Sequence, residues 1–118
     1  MDRVRFIKHK EQRILLVDFT DCSPGELSEI ADTAPGTIAQ EPMGTVLLLA
    51  DFSHSQFTRE AFEHVKVGAA LNRPRVKRSA WVLTENLPKA LQDSVRSFSA
   101  REIPIFSTRE EALEYLVS

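Results

Sequence analysis

The 118-residue chain predicts a single α/β domain, residues 1–118, built on one mixed sheet with element order ββαβαβαβα. Three observations predict it. Two apolar runs, 13–17 and 45–50, each end in an Asp, a Phe and a hydroxyl residue just before a helix start: Asp18–Phe19–Thr20 and Asp51–Phe52–Ser53. Most of the other apolar residues recur at helical spacing behind cap residues, so helices alternate with the later strands. Finally, only the polar stretch His9–Lys10–Glu11–Gln12 separates the first two strand-like runs. Parallel neighbours need a long crossover, so these two form an antiparallel hairpin and the later strands are parallel.

Element by element, Arg3 to Lys8 alternates charge with Val4 and Phe6, the period of a half-exposed strand. Arg13 to Val17 is a more buried strand. Ser23–Pro24–Gly25–Glu26 opens the first helix with a capping box and a Pro at its first position. Leu27, Ile30, Ala31, Ala34 and Ile38 form its inward stripe, and Pro35–Gly36 predicts a kink or break. Thr45 to Ala50 is nearly uniformly apolar and therefore central, covered on both faces. Thr58 caps the second helix, with Phe57 and Phe62 placed as a hydrophobic staple. Phe62, Val65 and Ala69 face inward, and Asn72–Arg73–Pro74 stops the helix. Val76 to Leu83 is the fourth strand. Pro88 opens a third helix whose apolar face is Leu91, Val95 and Phe98. Ile103 to Phe106 is a short last strand, placed at a sheet edge because Pro104 cannot donate to a ladder. Thr108 and Glu111 form a second capping box, and Ala112, Leu113, Leu116 and Val117 pack the last helix inward.

Composition narrows the function classes. A net charge of -2 gives no reason to expect nucleic acid as partner. The lone Cys22 excludes an intramolecular disulfide and fits a cytoplasmic setting. The start runs straight into a strand, so no leader is expected, and no apolar stretch approaches the ~20 residues of a membrane span. Gly25, Gly36, Gly44 and Gly68 are isolated, so no phosphate-cradling loop and no cofactor is expected. His9, His54 and His64 lack ligand spacing, so no metal is expected. A phosphoacceptor receiver domain would need a Lys after the last strand, where Ser107 and Thr108 stand.

Candidate chemistry gathers where strands end. In open α/β sheets ligands sit at the carboxyl edge. Asp18 and Asp51 are expected side by side there, either as a functional pair or each holding its own turn by accepting loop amides. Helix amino termini with Thr20, Ser53, Ser55 and Thr84 offer donors to an anion or polar headgroup, and His54 lies on the same loop. Phe19, Phe52 and Phe57 would line an apolar pocket beside them, concave between Phe19, Phe52 and the second helix; a filled core there would remove it. Arg75 and Lys77, on one face if they share a strand, form a patch for an acidic partner or merely a solvated strand entrance. Trp81 is core or, on the polar side of its strand, an interface anchor. Cys22 with His54 as base is the enzymatic alternative. A self-paired homo-oligomer is allowed, though no residue pattern demands it.

The element order, the strand end Leu47–Leu48–Leu49–Ala50–Asp51–Phe52 and the tail Ile105–Phe106–Ser107–Thr108–Arg109–Glu110–Glu111–Ala112–Leu113–Glu114–Tyr115–Leu116 resemble the SpoIIAA-like branch of the STAS domains. That group is also described as STAS/SEC14-like. The resemblance covers essentially the whole chain and implies a four- or five-stranded sheet with flanking helices. It also implies a non-enzymatic regulatory or ligand-binding module with a protein partner or a small anionic or amphipathic ligand. A SEC14-like relation implies a lipid or other amphiphile. Antagonists of anti-sigma factors in this group carry a phosphorylatable Asp-Ser-Ser-Gly turn. The corresponding stretch here is His54–Ser55–Gln56–Phe57–Thr58–Arg59, which lacks the Ser pair and Gly and leaves Thr58 near the phosphoacceptor position.

Overall fold

The computed structural model describes residues 3–83 and 89–118. One five-stranded sheet runs β1-β2-β3-β4-β5 in chain order. β1 (Val4–His9) pairs antiparallel with β2 (Gln12–Asp18). β3 (Val46–Asp51), β4 (Val76–Val82) and β5 (Ile105–Phe106) follow in parallel. The mixed sheet expected from the sequence is therefore present.

Stepping to the next strand by repeated right-handed crossovers places the connecting helices on one face. α1 (Pro24–Ile38), α2 (Arg59–Asn72) and α3 (Lys89–Glu102) share that face. Their Leu27, Phe62, Val65 and Val95 join Leu15, Val17, Leu48 and Trp81 in one core cluster. Strand alternation sends Ile14, Leu16, Leu47, Leu49 and Val82 to the opposite face. There they pack with Ala112 and Leu116 of α4 (Arg109–Val117). All of β3 is buried, as a central strand covered on both faces must be.

The hairpin turn is tight. His9 pairs with Gln12, and the two intervening residues, Lys10 and Glu11, have φ of 49° and 67°. Two-residue turns of this hand favour Asn-Gly, because a side chain in the left-handed region costs roughly 1 kcal/mol or more. The double variant Lys10→Asn/Glu11→Gly is expected to stabilise the fold by about 1 kcal/mol, net of the lost Lys10–Glu114 ion pair, in urea unfolding.

Ser23 and Glu26 form the capping box of α1, and Leu27, Ile30, Ala31, Ala34 and Ile38 are its buried residues. Of the kink or break expected at Pro35–Gly36, the break is corrected: α1 continues through Pro35 to Ile38. The missing N–H falls in the last turn, where Ala39 N–H still reaches the Pro35 carbonyl at 2.9 Å. Burial of Ala34 and Ile38 holds that turn against the core.

Thr58 Oγ1 accepts from Ala61 N–H at 3.1 Å, and the Phe57 and Phe62 rings meet at 6.2 Å as a staple. α2 ends at Asn72 and passes into a 3-10 turn, Arg73–Arg75, so Arg75 is not part of β4 and shares no strand face with Lys77. Thr108 caps α4 by accepting from Glu111 N–H at 3.2 Å. The reciprocal half of the expected box differs: the Glu111 carboxylate accepts from the Thr108 hydroxyl at 3.1 Å. Thr84 and Pro88 lie outside the described residues. Among the described residues, no helix is long and apolar enough to cross a membrane.

Candidate functional site

Asp18 and Asp51 are register partners at the carboxyl ends of β2 and β3. The doubled Asp–Phe–hydroxyl motif builds the same loop twice. Asp18 Oδ1 accepts from Thr20 N–H at 3.0 Å and from the Thr20 hydroxyl at 2.6 Å. Asp51 Oδ1 accepts from Ser53 N–H at 3.0 Å and from the Ser53 hydroxyl at 2.6 Å. One residue further on, Asp21 and His54 both turn left-handed, at φ 56° and 59°. Backbone bonds from Phe19 to Asp51 at 2.9 Å and from Asp21 to Ser53 at 3.0 Å join the two loops.

Each Asp also has basic company. Asp18 lies 3.5 Å from both Arg3 and Arg5. Asp51 is 3% exposed, and its Oδ2 receives Arg109 Nε at 2.8 Å and Nη2 at 2.7 Å. These carboxylates therefore spend their acceptor capacity on their own turns and on arginines of this chain. Among the described residues no group of His, Cys, Asp and Glu is arranged to hold a metal ion.

Burial pushes the Asp18 carboxyl up, but the Thr20 hydroxyl and amide, with Arg3 and Arg5, outweigh it and hold the carboxyl below its ordinary value. The unfolded chain then takes up this proton first as pH falls. The contribution of Asp18 is complete above the ordinary Asp pKa of about 4 and is lost as pH drops through the lower folded value. Urea unfolding at pH 6 and pH 3 is expected to show Asp18→Asn less stable than the parent at pH 6. The variant's stability should fall less between the two pH values.

Phe19 and Phe52, which follow the two Asp residues, point into the core and stack at 4.6 Å with an 8° interplanar angle. Trp81 is 3% exposed and meets Phe52 edge-on at 5.1 Å, so it is a core residue and not a surface anchor. The physical reason is register: Trp81 pairs with Ala50 of β3 and faces the helices α1 to α3, beside Phe62 and Phe98. Cys22 is 1% exposed, and burial pushes its thiol up, which disfavours a thiolate nucleophile. His54 is exposed on the second loop. Arg75 donates to the Glu41 carbonyl at 2.6 Å, and its own carbonyl accepts from Thr45 N–H at 3.0 Å, just before β3. Lys77 lines a wide depression at the opposite rim with Phe6, Arg13 and Glu41.

Behind the aromatic stack lies a cavity of about 60 Å³ between α1, α2 and the sheet. Phe19, Phe52 and Trp81 form its aromatic wall, and Ala31, Val65 and Gly68 its roof. The cavity lies between Phe19, Phe52 and the second helix, while Phe57, expected to line a pocket there, packs against the core outside the lining. Three residues of the region escaped the sequence reading. Gly68 is one: a Cβ there would stand 2.9 Å from the Ala31 carbonyl oxygen, and a Gly in mid-helix is itself a signal of close approach. Asn72, read only as a helix stop, is buried and lines the cavity. Arg109 reaches Asp51 from 58 positions away, and no local pattern announces that pairing.

No protein-family model and no curated protein matches this chain. A solved structure does: an uncharacterised protein from the DUF3478 family, with a SpoIIAA-like fold, from Shewanella loihica PV-4. The similarity covers 96% of this chain and 91% of that one, with a TM-score of 0.66 and 13% identity. With its sequential mixed sheet, three helices on one face and a fourth on the other, this chain has a SpoIIAA-like fold.

Proposed function

We propose that the chain is a non-enzymatic ligand-binding module that takes a small amphipathic molecule into the cavity beneath α1 and α2. The observation that carries this reading is the cavity itself, about 60 Å³ walled mainly by apolar side chains in the middle of the helix-covered face. Protein interiors are close-packed, and ligand sites are concave and mostly apolar. The strand-end loops serve as the frame of the site. Asp18, Thr20, Asp51 and Ser53 satisfy one another and hold Phe19 and Phe52 against the cavity. In this reading an anionic headgroup at the rim is not the main contact. A cytoplasmic setting fits the single free thiol.

Native mass spectrometry of the purified protein tests the reading. A bound small molecule is expected on the parent chain and is expected to be lost in Ala69→Leu, which fills the cavity. The reading fails if the parent carries no added mass and no small alcohol, ketone or hydrocarbon shifts its melting temperature.

A further inference from the structure

We infer that this cavity selects a small uncharged molecule that donates a hydrogen bond, through a hydroxyl or an amide N–H, to Asn72. The inference rests on the ligand-binding reading above and goes on to the chemistry of the ligand. It begins with one atom. Asn72 closes α2 with 7% of its surface exposed, and its Oδ1 is buried with no hydrogen-bond partner among the described residues. Buried side-chain oxygens nearly always have a partner, and one without it is costly. An apolar residue such as Leu would pack the end of α2 without that cost.

The surroundings of Asn72 define what can satisfy it. Val17, Leu48, Val65 and Ala69 make the nearby walls apolar. Ser79 supplies the other side-chain oxygen among the described lining residues, and a hydroxyl rotates into either role. An amide carbonyl is an acceptor only, so Asn72 Oδ1 sets the demand for a donor. Among the described residues, no wall residue is charged. An ionised ligand would lose its hydration with no counter-charge to meet it. A ketone, ether or carboxylate brings no donor to Asn72 Oδ1 and would leave it unpaired. The size is small as well: an apolar cavity of about 150 Å³ accommodates benzene, so about 60 Å³ holds only a few heavy atoms.

The test uses 2-propanol, acetone and acetate, which share one branched skeleton and differ in donor capacity and charge. Each is titrated into the full-length protein while the methyl signals of Val65 and Ala69 are followed by NMR. Saturable shifts are expected with 2-propanol, at a Kd about tenfold or more below that of acetone, and none with acetate. Acetone binding as tightly as 2-propanol overturns the inference and leaves the cavity reading standing. No shift from any of the three overturns the inference and leaves the cavity reading to the mass measurement and the hydrocarbon titration. In Asn72→Leu the preference for 2-propanol over acetone is expected to vanish and the ligand-free melting temperature to rise. A preference retained in that variant overturns the inference. Should Asn72→Leu not fold, the comparison on the parent chain decides alone.

Discussion

Phe52→Ala is expected to cost about 3–5 kcal/mol in chemical denaturation, the loss typical of a large side chain removed from a core. Phe52 has no exposed surface and sits at the centre of an aromatic cluster. Its ring lies 4.6 Å from Phe19, 5.0 Å from Phe57 and 5.1 Å from Trp81. Pairs of this kind add roughly 0.5–1.5 kcal/mol each beyond area burial. Truncation would also join the vacated volume to the existing cavity, so the region has little capacity to collapse. Phe52→Leu keeps most of the volume and is expected to lose well under half as much. Benzene is expected to recover part of the Phe52→Ala melting temperature, because dry apolar holes of that size take it up. A loss below about 1 kcal/mol would mean that the rings repack, contrary to the rigid stack described.

Gly68→Ala is expected to destabilise by about 1–3 kcal/mol, the range for forcing atoms into a packed site. The sign is the informative part. In an open helix interior the same change would stabilise by up to ~1 kcal/mol, because Ala is the better helix former. Here the new methyl would meet the Ala31 carbonyl oxygen at 2.9 Å, and backbone cannot swing aside as a flexible side chain can. Pro35 bears on the same oxygen: it has no N–H to give the carbonyl four residues earlier, which is that of Ala31. Gly36 on α1 is the control, since nothing lies within 4 Å of a Cβ there. Gly36→Ala is expected to raise the melting temperature while Gly68→Ala lowers it. Equal signs would show that the two helices are free to move apart.

What could be read in advance was whatever short-range patterns encode. The inward stripe of α1, the caps at Ser23, Thr58 and Thr108, and the Phe57–Phe62 staple all lie within a few turns of chain, and each is present. The pairing of Asp18 with Asp51 followed from two parallel strands ending alike. Other features depend on separations no local pattern reports. Pro35 looked like a break because its cost is local, whereas the burial of Ala34 and Ile38 that offsets it is tertiary. Trp81 was ambiguous because basic residues near the start of β4 blur its alternation, and pairing with β3 decides its face. At the site, sequence marked the polar rim, where chemistry-bearing residue types gather. The buried amide of Asn72 sits elsewhere, among residues from both helices and the sheet, and became a candidate only once the cavity between them was on view.

The two margins of the sheet bear on behaviour in concentrated solution. β5 offers only Ile105 and Phe106, too short a row of backbone groups to template a strand from another molecule. β1 is longer, but it carries Arg5 and Lys8. Two copies of β1 laid edge to edge would bring like charges together. The folded chain is thereby protected at both margins against polymerising strand upon strand, even though its central strand is apolar along its whole length up to the final Asp51.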